Sequence, residues 1–270
     1  MALFVFGLGY TGLRLAEAVR ATGGFATGTG RAGLRFDDED VVRPALAAAS
    51  HIVSTVPPEG EDAVLTRYGD AFGDRWLGYL SSTGVYGDCG GAWVDESAPI
   101  RGRRADRNAA DLAWQARGAR VFRLPGIYGP GRSPLDRVRE GRAHRVGLPD
   151  QVFSRVHVDD IVAGVLAGFE APPGVYNLAD DLPCSQDRVI EAASAILGMP
   201  PPPVVALETL SLMARGFYAE NRRVANAKAR RVLGWRPAYP DFAAGLRALS
   251  AITSPTIATA PPPAASHDQR

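Results

Sequence analysis

The stretch "ALFVFGLGYTGLRLAEAVRATGG", residues 2–24, decides the fold. An apolar run from Ala2 to Phe6 ends on glycine, and after it Leu13, Leu15, Ala16 and Val19 gather near one helical face until Gly23 stops the pattern. The order is strand, tight turn, helix. Within the turn, Gly7, Gly9 and Gly12 follow a G-x-G-x-x-G spacing. The first glycine permits the turn, the second lets backbone approach a pyrophosphate, and the third lets helix pack closely on strand. The loop Gly7, Leu8, Gly9, Tyr10, Thr11 and Gly12 is therefore expected to seat a dinucleotide, with its phosphates at the helix N-terminus.

The same rhythm continues downstream. Phe25 to Thr29, "HIVSTVPP" from His51, "RWLGYLSS" from Arg75 and "ARVFRLPGIYG" from Ala119 read as strands, and "DEDVVRPALAAAS" and "DRNAADLAWQARG" carry helical spacing. This alternation predicts parallel βαβ units with right-handed crossovers, a Rossmann-type doubly wound α/β sheet over residues 1–130. After Pro130 the pattern loosens. "FSRVHVDDIVAGVLAGFE" predicts a strand leading into a helix, "GVYNLADD" a strand, and "SQDRVIEAASAILG" a helix capped by Ser185. Residues 131–252 read as a small C-terminal α/β substrate lobe partly interleaved with the sheet, and the Pro/Ala-rich 253–270 as a disordered tail.

The end of the second strand selects the cofactor. An acidic residue about 20 positions beyond the glycine loop would hydrogen-bond a free ribose 2′-hydroxyl. This chain has "TGTGRAG", with Arg31 nineteen residues past Gly12. A guanidinium there attracts a 2′-phosphate, so NADP(H) is favoured and NAD(H) is the alternative. That Arg31 is one more solvated arginine stays open. Asp37 either reaches the adenine or caps the next helix. Thr55, Val56 and Pro57 of "STVPP" are expected to line the adenosine side of the cleft.

Composition narrows the partners. A net charge of +1 supplies no field for nucleic acid or an anionic membrane, so a small-molecule substrate is expected. Cys89 and Cys184 lie in unrelated segments without a Cys-x-x-Cys or Cys/His cluster, which speaks against a disulfide framework or a metal and for a reducing cytoplasm. The apolar opening lacks a basic n-region, and no run of about 18 apolar residues follows, so a soluble, unprocessed protein is expected.

Several stretches together, "GLGYTG", "SSTGVYGD", "RLPGIYGPG", "VHVDDIVAGV", "GVYNLADD" and "NAKARRVLGW", give the chain a resemblance to the extended short-chain dehydrogenase/reductases, the NAD(P)-dependent epimerase/dehydratase family. They occur in the family's order from residue 3 to about 250. The resemblance implies a serine or threonine at the end of the fifth sheet strand, here Ser82 with Thr83 as a close alternative, beside a Tyr-x-x-x-Lys pair on the next helix. It also implies that Pro125, Tyr128, Pro130 and Gly131 approach the nicotinamide, that Asp159 and Asp160 cap a helix, and that a homodimer can form.

The Tyr-x-x-x-Lys pair is missing. The chain has one lysine, Lys228, preceded four residues earlier by Val224. The segment that should hold the pair reads "GRRADRNAAD", which aligns Arg103 with the tyrosine, Arg107 with the lysine and Asp111 with a frequent acid; Arg104 offers a shifted register. Arginine stays protonated and clamps anions, but it cannot donate the proton a carbonyl reduction requires. Tyr86, Tyr128 and His157 are candidate substitutes, each with a plain structural role as the alternative. Tyr128 with Arg132 and Tyr218 with Arg222 repeat a Tyr-x-x-x-Arg spacing, read as coincidence in an arginine-rich chain.

Three readings compete. The first is an atypical oxidoreductase or epimerase acting on a small anionic or sugar-derived substrate, gripped by Arg101, Arg103, Arg104 and Arg107. The second is a catalytically silent NADP(H)-binding redox sensor or regulatory protein. The third, a hydroxyacid dehydrogenase with a similar glycine loop, conflicts with "SSTGVYGD" and "VHVDD".

Overall fold

The structure is a computed structural model that describes residues 1–253; the tail expected over 253–270 lies, from 254 onward, outside the described residues. Its first half runs β1 (Ala2–Phe6), α1 (Tyr10–Ala21), β2 (Phe25–Thr29), α2 (Glu39–Ala48), β3 (His51–Ser54), α3 (Ala63–Tyr68), β4 (Trp76–Ser82), β5 (Trp93–Val94), α4 (Ala105–Ala116) and β6 (Arg120–Leu124). The remainder is β7 (Gly126–Tyr128), α5 (Pro134–Arg139), β8 (Arg155–His157), α6 (Val158–Ala167), β9 (Gly174–Asn177), α7 (Gln186–Ile196), α8 (Leu212–Tyr218), β10 (Arg223–Val224), α9 (Ala227–Val232) and α10 (Phe242–Thr253).

Six strands form one parallel sheet in the order β2-β1-β3-β4-β6-β9. The apolar run of β1 is explained by burial on both faces, as parallel central strands require. Leu3 and Val5 face a layer with Leu15, Val19, Phe122 and Ile161, while Phe4 and Phe6 face Val42, Leu46, Tyr68 and Trp114. Helices α1 and α6 cover the first face, and α2, α3 and α4 the second. Because β9 completes the sheet's edge and α6 packs beside α1, residues 155–177 belong spatially to the sheet half.

The lobe has its own core. Leu135 and Val138 of α5, Val189 and Ile190 of α7, and Phe242 and Leu246 of α10 pack together. Ser185 caps α7, its hydroxyl accepting from Arg188 N. Two short parallel pairs, β7–β8 and β5–β10, join lobe to sheet.

Two capping expectations change. Asp159 and Asp160 do not cap α6; His157 does, its ring accepting from Asp159 N. Asp160 is instead buried and accepts from Ala238 N at 2.6 Å and Tyr239 N at 3.1 Å, pinning the segment before α10. Asp37 is not the cap of α2 either, since Asp38 holds that position and Asp37 is exposed and paired with Arg35.

Asp180, in the loop after β9, is 2% exposed beside the buried Arg155. Burial pushes its carboxyl up to about 7, against the pull of Arg155 and with Asp181 adding to the rise. The folded chain therefore holds this proton more tightly than the unfolded chain, so stability declines as pH climbs from the ordinary carboxylate range to about 7 and is level above it. Asp180→Asn should remove that slope and, having also lost the attraction to Arg155, gain only about 1 kcal/mol at pH 7.5, or roughly 2–4 °C in Tm. Thermal melts of both proteins from pH 5 to 8 check this; a less stable variant at every pH would show Asp180 ionised and paired.

Candidate cofactor and substrate cleft

β1 ends between Thr29 of β2 and Ser54 of β3, where the strand order reverses, and ligands of open α/β sheets bind in the crevice beyond such a point. The three glycines there have different duties. Gly7 turns with φ +90°, and a Cβ on it would stand 2.6 Å from Thr55 Oγ1. On Gly12 a Cβ would lie 2.2 Å from the Gly7 carbonyl oxygen, so no larger residue lets α1 approach the turn. Around Gly9 nothing lies within 4 Å of that position. Two glycines serve the chain's own packing and the middle one borders open space.

α1 begins at this opening with no side-chain cap and no acidic residue in its first turn. The N–H groups of Tyr10, Thr11 and Gly12 have no acceptor among the described residues, whereas that of Leu8 is spent on Thr29 O at 2.7 Å. Unsatisfied N–H groups and the helix dipole make a seat for an anion. Thr55 braces the loop by donating to Gly7 O at 2.7 Å; Val56 is half-buried beside it and Pro57 is exposed. Tyr10 reaches across to donate to Pro130 O at 3.2 Å, and Arg14 lies 4.2 Å over its ring while donating to the same carbonyl.

Arg31 sits exposed in the turn after β2 and has no hydrogen bond or ion pair among the described residues. Further along this edge a hollow of about 590 Å³ is lined by Phe36, Glu39, Glu59, Glu61 and Arg67. Glu39 there is paired with both Arg43 and Arg67, at 2.9 Å each, whereas the Arg31 guanidinium has no partner among the described residues.

Ser82 ends β4, the fourth strand of the chain rather than the fifth that the resemblance implies, because only the three units β1–α1, β2–α2 and β3–α3 precede it. Its half-buried hydroxyl accepts from Gly84 N at 3.1 Å, which leaves its own proton free to donate. Thr83 is buried. Beneath them lies a network that residue types alone did not reveal. Ser81, Gln115 and Arg123 all donate to Asp111, and Arg123 lies 4.8 Å under the ring of Tyr86.

The candidate proton donors occupy closed positions. Tyr86 is 1% exposed and donates to Asn177 Oδ1 at 2.7 Å; burial pushes its phenol up. Tyr128 lies in the lobe core under α10, its hydroxyl without a partner, and burial drives its pKa far above the ordinary value. Such a phenol neither lines the cleft nor gives up a proton near neutrality. His157 is 1% exposed between Tyr128 and Tyr239, with burial lowering its pKa.

Arg103 and Arg107 do not share a helical face, because Arg103 precedes α4 while Arg107 is in its first turn. Arg103 pairs with Glu220 at 2.7 Å and Arg104 with Asp106 at 2.7 Å. The side chains of Arg101 and Arg107 have no partner among the described residues. Pro125 is half-buried directly after β6, and Arg132 leans 5.5 Å from the ring of Tyr10. Residue spacing did not single out Arg222, whose Nη2 lies 3.9 Å from the place a Cβ on Gly84 would occupy, next to Ser82. Cys89 and Cys184 are free thiols, and no group of three His, Cys, Asp or Glu residues among those described could hold a metal ion. No helix among the described residues is long and apolar enough to cross a membrane.

No family model matches the chain. A protein of unknown function from Silicibacter pomeroyi is 39% identical over 93% of this chain and 98% of its own, with a TM-score of 0.83. The two chains belong to one family. Their shared fold extends to more distant structures. The human epimerase family protein SDR39U1, solved with NADPH, is 16% identical over 93% of this chain and 99% of its own at a TM-score of 0.73. A UDP-glucose 4-epimerase from Thermotoga maritima, solved with UDP-glucose, is 15% identical over 93% and 97% at 0.73. The fold of the family is thus that of the NAD(P)-binding epimerases and dehydratases. Among curated proteins, a Streptomyces 3-diazoavenalumate denitrifying reductase is 30% identical over 140 residues, which span 47% of this chain and less than half, 45%, of the reductase.

Proposed function

We propose that the protein is an NAD(P)-binding, epimerase/dehydratase-like oxidoreductase that uses NADP(H) on a small anionic or sugar-derived substrate. The observation that carries this reading is the open space at Gly9, at the uncapped N-terminus of α1 and the reversal point of the sheet. Tyr10, Thr11 and Gly12 would hold the pyrophosphate through backbone N–H groups, and Arg31 the 2′-phosphate. The NADPH seen with SDR39U1 supports the choice of cofactor, and the reductase activity in the Streptomyces protein's name supports redox chemistry.

A bound nicotinamide supplies or accepts a hydride. Ser82, held by Gly84 N, would donate a hydrogen bond to a substrate oxygen while keeping its proton. Water would supply or take up the proton that balances the hydride, and Arg107, in the first turn of α4, brings positive charge to the same edge of the sheet. Ser82→Ala should lower kcat about tenfold, the worth of one hydrogen bond of ~1–1.5 kcal/mol, with NADPH affinity unchanged. Single-turnover kinetics and a cofactor titration check the two halves; an unimpaired variant would leave Ser82 as a strand-end cap.

The silent cofactor-binding reading is supported by Arg103, which the resemblance aligns with the tyrosine and which is engaged by Glu220 at 2.7 Å. Parallel fluorescence titrations with NADPH, NADP⁺, NADH and NAD⁺, followed by NADPH oxidation over a panel of small carbonyl acids and sugars, test both. Binding of none of the four overturns the cofactor assignment. Binding without turnover on any substrate favours the sensor.

A further inference from the structure

The geometry points to Arg222 as the residue that grips a negatively charged oxygen of the substrate, carboxylate or phosphate, with Arg103 and Glu220 setting the charge it presents. This rests on the proposed substrate cleft at Ser82. Segment 216–222 is tied across that cleft. Arg103 bonds Glu220 Oε1 through Nε at 2.7 Å and donates to Gly216 O through Nη2 at 2.7 Å. The other carboxylate oxygen of Glu220 takes Arg222 Nη1 at 2.7 Å, and the same Nη1 donates to Gly87 O at 2.9 Å. Glu220 is thus shared between two guanidinium groups, and its side chain is 11% exposed. Burial alone would raise its carboxyl, but the bonds from Arg103 and Arg222 bring it below the ordinary range, so the trio carries one net positive charge near neutrality.

That charge has an open outlet. Arg222 is fixed through Nη1, while Nη2 makes no hydrogen bond among the described residues. A Cβ on Gly84 would lie 3.2 Å from Ser82 Oγ and 3.9 Å from Arg222 Nη2. Gly84 does not adopt positive φ, so its backbone does not call for glycine. What glycine provides is room, bordered on one side by a hydroxyl with a proton to give and on the other by a guanidinium. The inferred anion places an oxygen beside these two groups, and a planar guanidinium held by its other nitrogen is preorganised for it.

The charge balance supplies a test that a purely structural role fails. Arg103→Gln leaves one cation against one anion and should weaken anion binding several-fold. Glu220→Gln leaves two cations and should strengthen it several-fold. Arg222→Gln should weaken it at least tenfold, and Arg222→Lys should restore part of the loss. The probes are inorganic phosphate and, separately, malonate, titrated calorimetrically at fixed ionic strength with NADPH saturating so that the glycine loop is filled. The tighter probe tells a phosphate from a carboxylate substrate. Unchanged binding in Arg222→Gln overturns the assignment, as do shifts of the same sign in Arg103→Gln and Glu220→Gln. NADPH titrations of the same variants separate the two ideas. Normal NADPH binding without Arg222-dependent anion binding defeats only this inference, and absent NADPH binding defeats only the cofactor reading, the anion titrations then being run without it.

Discussion

Arg123→Leu is expected to lower Tm by about 10 °C, from a loss of roughly 3–5 kcal/mol when one partner of a buried ion pair is removed and about 2–4 °C per kcal/mol for a chain of this size. Asp111 is 0% exposed and Arg123 2%, bonded at 2.7 Å and 3.1 Å through two nitrogens. Without Arg123, Asp111 keeps only Ser81 and Gln115, two neutral donors, for a full buried charge. Removing both charges together should cost much less, because a buried pair is strongly destabilising when broken and close to neutral when replaced by apolar groups. Melts of Arg123→Leu, Asp111→Leu and the double variant measure this coupling. A double variant as unstable as the sum of the singles would mean that volume, not charge, holds the site. The network also steadies the cleft, since Arg123 lies under Tyr86, the last residue of the short helical turn that begins after Ser82.

What the residues alone disclose depends on how far apart the partners lie in the chain. The β1–α1 turn is legible because its determinants sit within a dozen residues, and the clash of a Gly12 Cβ with Gly7 O is a local necessity. The parallel sheet is legible from apolar runs that only double-sided burial explains. The ion network is not: it joins Ser81, Asp111, Arg123 and, through Tyr86, Asn177, residues from four elements whose meeting is set by strand order. Tyr128 misleads for the opposite reason. Its position in "RLPGIYGPG" points to the cleft, yet β7 peels off the sheet to pair with β8 and turns the phenol under Gly245. Arg222 was hidden by abundance. In a chain with 30 Lys and Arg residues, no spacing distinguishes the guanidinium beside Ser82 from the solvated ones, and only its partners Glu220 and Gly87 do.

Arg31→Asp should weaken NADPH binding about a hundredfold and leave NADH nearly unchanged, since a charge-assisted contact is worth about 1.5–3 kcal/mol and the new carboxylate repels the 2′-phosphate. The distance from pyrophosphate seat to Arg31 is set by contact. Leu8 bonds Thr29 O and packs so closely on the turn that a Cβ on Gly33 would lie 2.7 Å from its Cδ1. No neighbour readily replaces the guanidinium. Arg35 is already paired with Asp37 at 2.9 Å, and Arg67, which lines the hollow beyond it, is paired with Glu39 at 2.9 Å. The titration belongs at about 0.15 M salt, where screening beyond about 8 Å removes the general pull of an arginine-rich surface and leaves the local contact. Equal losses for NADPH and NADH would mean that Arg31 only shapes the turn, and the choice between the two cofactors would then have to lie elsewhere on this edge.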